Sequence, residues 1–158
     1  MINNIKKLAS SSDLILISDY GHGFISDKTA KTFSSIKKFF SLNAQINASN
    51  RGYHSLRKYK KIDNLIINED ELRHEMRDKI GNIEKMALKL IKDLKINKLV
   101  VTSGKDGAIL IKKNGKSVYC PAFANKVIDK VGAGDAMLAI MSLCMKIKMP
   151  SDLALFLG

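Results

Sequence analysis

Several residue types are scarce in this chain, and each scarcity excludes something. Its 158 residues include no tryptophan, two prolines and two cysteines. Cys120 and Cys144 lie in apolar surroundings without a paired spacing, which argues against a disulfide framework or a zinc site and leaves two buried thiols. His22, His54 and His74 are scattered and give no transition-metal spacing. No apolar leader core follows Met1, and no later run approaches a membrane span, so the expectation is a soluble protein of the reducing cytoplasm with no membrane partner. Acidic residues are outnumbered 15 to 27, for a formal charge of +12. Of the basic residues only Arg51, Arg57, Arg73 and Arg77 are arginine, the side chain that forks onto guanine edges and phosphates, so specific nucleic-acid recognition is not expected. Lysines occur in every segment and imply a general positive field favouring phosphorylated ligands.

What is present suits one α/β domain, with a hydrophobic content of 46%. Residues 1–12 read as the tail of a helix and a serine-rich link. Leu14-Ile-Leu-Ile17 is a short unbroken apolar run, as in a strand buried on both faces of a parallel sheet. It ends in Ser18-Asp19-Tyr20-Gly21-His22-Gly23, either a plain turn or a ligand contact at the carboxyl end of a strand. Ser26 and Asp27 open a helix whose core stripe is Ala30, Phe33, Ile36 and Phe40. Ala44 to Ala48 reads as a second strand, followed by a polar turn in which Asn50 and Arg51 either face solvent or reach a phosphate. Leu65-Ile-Ile67 is a third strand, stopped by Asn68-Glu-Asp-Glu71. Ile83, Met86, Ala87, Leu90, Ile91 and Leu94 form an amphipathic helix covering the sheet. Lys98 to Gly104 is a fourth strand, and 107–112 and 116–123 make a hairpin about Asn114-Gly115.

The chain is organised around Val127 to Ala136, where a glycine-rich turn runs into an apolar helix over 133–147. A helix start offers unpaired N–H groups and the positive end of the macrodipole, and Gly132 and Gly134 carry no side chains to keep an anion away. Asp135 in that turn either stabilises the helix start or acts as a general base. The helix is apolar nearly all round and is expected to be buried.

Asp129-Lys-Val-Gly-Ala-Gly-Asp135 resembles the signature of the ribokinase-like (PfkB) carbohydrate kinases, although Lys130 stands where threonine is usual. The resemblance implies an anion hole at Gly132, Ala133 and Gly134 for the transferred phosphoryl group, with Asp135 as base. It extends to Ser18-Asp-Tyr-Gly-His-Gly23, which is similar to sugar kinases near the heptose-7-phosphate kinase domain of bacterial ADP-heptose synthases and makes Asp19 and Gly21 substrate-side candidates, joined by Asn50 from the polar turn after the second strand. Asn68 and Glu71 fit the family's Asn-x-x-Glu, which organises Mg2+ on ATP mostly through water, as that ion's hydration favours. Thr102, Gly104 and Gly107 resemble the segment lining the ATP site, and Asp129 falls where the family helps hold a monovalent cation such as K+.

The four motif blocks together imply a doubly wound, mainly parallel ribokinase-like sheet with flanking helices and a small antiparallel hairpin. The implied activity is ATP-dependent transfer to a hydroxyl of a sugar or sugar phosphate. Residues 1–158 are then expected to form the C-terminal nucleotide-binding and catalytic half of a kinase domain that is a homo-oligomer at full length. The rival expectation is a non-catalytic nucleotide-binding, anion-binding or interaction protein on the same scaffold.

Overall fold

Alternation along two apolar strands sets the layering. In β3 (Asn64–Asn68), Leu65 and Ile67 enter one core while Ile66 enters another, and in β4 (Lys98–Thr102), Leu99 and Val101 are divided from Val100 in the same way. Successive side chains on a strand point to opposite faces, so a strand apolar at every position requires cover on both sides. The computed structural model, which describes residues 2–46, 50, 52–123 and 132–158, supplies that cover.

The sheet has six strands in the order β1-β2-β3-β4-β5-β6, beginning with β1 (Leu14–Asp19) and β2 (Phe39–Ala44). β1 to β4 are parallel, while β5 (Ala108–Lys112) and β6 (Ser117–Cys120) return antiparallel. The crossovers carry α2 (Asp27–Ser35), a short 3-10 turn at Leu56–Lys58, α3 (Glu69–Met76) and α4 (Ile83–Leu94), and their apolar residues share one core with Leu42, Leu65 and Leu99. Right-handed crossovers that all advance in one direction lay their helices on one face. The other face is covered by α5 (Ala133–Lys146) and α6 (Ser151–Leu157), through Met137, Leu138, Met141 and Leu155 over Ile66, Val100 and Leu110. α1 (Ile2–Ser10) precedes β1. The expected fold class holds: a mainly parallel sheet between helical layers, with a terminal hairpin whose Gly115 stands at φ +84°.

The reading of two buried thiols holds for Cys144 but not for Cys120, which is partly exposed, and three readings of the elements also differ from the structure. The second strand is Phe39–Ala44 and ends where the expected strand began. For the same reason the α2 stripe stops early: α2 closes at Ser35, and Phe40 is core through β2. A run such as Phe-Phe-Ser-Leu-Asn fits a helical period and a strand equally, and its neighbours on both sides select the strand. Third, α5 buries one face only, with Leu143 58% and Ile147 68% exposed and Ile140 in line with them.

Lysines separated in sequence are gathered in space. Lys37 and Lys38 precede β2, Lys61 precedes β3, Lys95 precedes β4, Lys113 follows β5 and Lys146 ends α5, so all come to the edge where the parallel strands begin. Lys37, Lys38, Lys61 and Lys146 line a shallow cleft of about 500 Å³ there, with Asp63 as its acidic residue. Among the described residues no helix is long and apolar enough to cross a membrane.

The exposed stripe on α5 predicts self-association of the purified chain, because a contiguous apolar patch of this kind seeks a partner. Light scattering should report species larger than a monomer, and replacing Leu143 and Ile147 together by lysine should return the chain toward monomer without lowering its urea midpoint. A monodisperse wild-type monomer would contradict this.

Candidate active site

The carboxyl ends of β1 to β4 share one edge, fixed by the pairings Ser18↔Asn43, Asn43↔Ile66 and Asn68↔Thr102. α5 starts at this edge. Its cap, Gly132, stands at φ +83°, a left-handed conformation that a side chain would strain, and nothing among the described residues crowds the position its Cβ would take. Gly134 is packed toward β2, where its Cβ would lie 3.9 Å from Asn43 Nδ2.

Asp135 lies in the first turn of α5, with its carboxylate held from both sides. Ser18 Oγ donates to Oδ1 at 2.7 Å and Tyr20 Oη donates to Oδ2 at 2.7 Å. The two donors come from alternate positions at the end of β1 and lie 117 and 115 residues away in sequence. The bond to Asp135 is the main cause that raises the Tyr20 phenol above its ordinary value, since losing that proton would set two anions side by side.

Asp19, between those donors, points to the opposite face of the sheet and is 4% exposed. Its Oδ2 accepts from Tyr59 Oη at 2.7 Å and pairs with Lys58 Nζ at 2.7 Å, and its Oδ1 accepts from the Gly21 N–H at 2.9 Å. Burial alone would raise this carboxyl, but the bonds from Lys58, Tyr59 and Gly21 outweigh it and leave it below its ordinary value. His54 Nε2 stands 4.0 Å from Asp19 Oδ2, and burial lowers this imidazole toward its neutral form. Gly21 is required by space as well as by conformation, for at φ +69° its Cβ would fall 2.3 Å from Asn50 Nδ2. Asn50 Nδ2 donates to Tyr20 O at 2.8 Å and Gln45 O at 2.9 Å, joining the loop after β1 to the one after β2.

Asn68 and Glu71 form a capping box at the start of α3. Asn68 Oδ1 accepts from Glu71 N, Glu71 Oε2 accepts from Asn68 N, each at 2.8 Å, and Glu71 Oε1 also accepts from Ile46 N at 3.2 Å. Burial is the chief reason the Glu71 carboxyl is raised. Each of its oxygens keeps a second lone pair, which suits the outer hydration shell of an ion and not direct ligation. Among the described residues no group of three or more His, Cys, Asp or Glu side chains is placed to hold a metal.

Thr102 ends β4, and Gly104–Asp106 forms a 3-10 turn closed by Ser103 N to Gly107 O at 2.8 Å. Gly107, at φ +87°, admits no Cβ because Cys120 O would lie 2.2 Å away. The turn is braced by Ser103 Oγ donating to Glu69 Oε2 at 3.0 Å. The structure therefore gathers Asp135, Gly132, Ala133, Gly134, Asn68 and Thr102 at one edge and turns the Asp19 carboxylate away from it. Asp129, Lys130 and Arg51 lie outside the described residues. Sequence reasoning did not single out Ser18 or Tyr20, whose signal was their period-two spacing about Asp19.

The chain resembles known proteins in sequence and in fold. The pfkB family carbohydrate kinases match over residues 4–145. The chain is 32% identical over 152 residues to the bifunctional protein HldE of Campylobacter fetus, covering 94% of this chain and 32% of that protein. Its fold is similar to Arabidopsis thaliana ribokinase complexed with ribose and ATP, at TM-score 0.73 and 19% identity, over 97% of this chain and 49% of that one. It is also similar to Escherichia coli phosphofructokinase-2 in complex with potassium, at TM-score 0.77 and 16% identity, over 98% and 52%. The chain thus spans about a third of that curated relative and about half of these solved structures.

The Asp19 network predicts a definite pH dependence. A carboxylate whose folded value lies below its ordinary 3.8 contributes stability that is fully present above that pH and is lost as the pH falls below it. Asp19→Asn should lower unfolding free energy at neutral pH by about 3 kcal/mol, because Lys58 loses its buried partner. It should also flatten the fall in stability between about pH 5 and pH 2, which urea titrations across that range would read.

Proposed function

The chain belongs to the pfkB family of carbohydrate kinases, and from that membership we propose that it transfers the γ-phosphoryl group of ATP to a hydroxyl of a sugar or sugar phosphate, with heptose 7-phosphate as the acceptor. The observation that carries this reading is the Asp135 carboxylate at the glycine-capped start of α5, held by Ser18 and Tyr20. In the proposed step Asp135 takes the acceptor's hydroxyl proton as that oxygen bonds to the γ-phosphorus. The bond from phosphorus to the bridging oxygen breaks, and ADP leaves with the electron pair. The N–H groups at Gly132, Ala133 and Gly134 stabilise the charge on the transferring group, a task that fixed backbone dipoles perform without reorganising.

Thr102, Gly104 and Gly107 are assigned to the nucleotide side, and Asn68 and Glu71 to the outer shell of a hydrated Mg2+. When bound, that ion neutralises the ATP phosphates. Asp129 would help hold a monovalent cation such as K+. The heptose 7-phosphate acceptor rests on the similarity of Ser18 to Gly23 to the heptose-7-phosphate kinase domain; in this chain Gly21 and Asn50 would shape the acceptor side, with Asp19 supporting their loop from beneath.

The test is sugar-dependent ADP release across hexoses, hexose phosphates and heptose 7-phosphate. Asp135→Asn should lower turnover by about 10²- to 10⁴-fold, the usual contribution of a positioned base, with ATP affinity nearly unchanged. Near-normal turnover in that variant would remove Asp135 from the mechanism. Salt-sensitive binding of any polyanion, without magnesium-dependent ATP binding, would favour the non-catalytic reading. Alanine at Asn68 or Glu71 should raise the Mg2+ concentration for half-maximal rate more than it alters the acceptor's KM.

A further inference from the structure

Tyr20 is half-exposed, yet its backbone is held on every side. Its N-terminal neighbours are paired in β1, its carbonyl accepts from Asn50 Nδ2 at 2.8 Å, and the next N–H is bound to Asp19 Oδ1 at 2.9 Å. Lys58 spans the loop beyond it, pairing with Asp19 at 2.7 Å and donating to Ile25 O at 3.0 Å. With the backbone fixed, only the side-chain torsions of Tyr20 are left, and its hydroxyl rests on Asp135 Oδ2.

We propose that Tyr20 is a positioning residue for phosphoryl transfer: with Ser18 it holds the two carboxylate oxygens of Asp135, and Asp19, through Lys58, Tyr59 and the Gly21 N–H, holds Tyr20 in place. This rests on Asp135 being the base. Each carboxylate oxygen has two lone pairs, so Ser18 and Tyr20 occupy one on each and leave the other pair for the acceptor hydroxyl. The orientation of that free pair is set by the two donors, and a base misplaced by an ångström loses much of its advantage. Tyr20 keeps its own proton throughout, because the carboxylate beside it opposes phenolate formation. The proton lost by the acceptor goes to Asp135 and nowhere else.

The experiment pairs kinetics with a titration that needs no turnover. Tyr20→Phe should lower kcat about tenfold, the loss expected for one hydrogen bond to a charged group, with the KM for ATP unchanged. Asp19→Asn should lower kcat less in the Tyr20→Phe background than in wild type, since the part of its effect that runs through Tyr20 is already lost. Phenolate absorbance followed against pH should show one tyrosine ionising at lower pH in Asp135→Asn than in wild type, and the shift should be absent when Tyr20 is phenylalanine. An unchanged phenolate titration in Asp135→Asn overturns the contact. A wild-type enzyme that turns over while Tyr20→Phe keeps its kcat overturns the positioning role alone. Wild-type protein with no sugar-dependent ADP release overturns the kinase reading, and the positioning role with it.

Discussion

The structure depends on the two-residue period at the end of β1. Ser18 and Tyr20 face α5 and take the two oxygens of Asp135, while Asp19 between them faces the other helical layer and takes Lys58 and Tyr59. Three consecutive residues thus tie both covers of the sheet to one strand end. A shift of register by one residue would reverse all three contacts at once, placing a carboxylate against a carboxylate and two hydroxyls in a core built for an ion pair. That constraint ties the position of the glycine turn to the pleat of an edge strand.

The rest of the edge is secured by shorter links. The Asn68–Glu71 capping box is local, and its Glu71 reaches to Ile46. Asn50 spans two adjacent loops, and Ser103 binds Glu69. These bonds hold each loop to its neighbour across the strand ends. The long-range assignment, which side of the sheet meets the start of α5, is left to Ser18 and Tyr20. The polar face of β2 reinforces it, since Ser41 and Asn43 lie on the side opposite Phe40 and Leu42 and leave room beneath α5 for the small Gly134.

Legibility in the sequence followed the range of the interaction. Strands apolar at every position, such as Leu65 to Ile67, declared themselves because burial on both faces leaves no alternation to misread. The glycine that starts α5 was legible because a cap held at positive φ favours glycine whatever surrounds it. β2 was misplaced because Phe39 to Ala44 satisfies two periods and only packing selects one. Asp19 was legible as a polar residue at a strand end, but its direction depends on Lys58 and Tyr59, which lie 40 residues downstream in the case of the tyrosine. The period-two spacing about Asp19 marks Ser18 and Tyr20 as sharing a face, but it does not name their partner, which lies more than a hundred positions away.

The lysines gathered where the parallel strands begin give the molecule a permanent electrical axis. Asp135 opens α5 and Lys146 closes it, roughly 16 Å apart by helical rise, so the carboxylate of the site and the basic edge sit at opposite poles. Near any negatively charged support in dilute salt, the chain would turn its lysine edge inward before contact and adsorb by that pole, with the glycine-capped turn facing the solution. Attachment of this kind would be oriented without any engineered tag, and it would be released as added salt shortens the reach of the field.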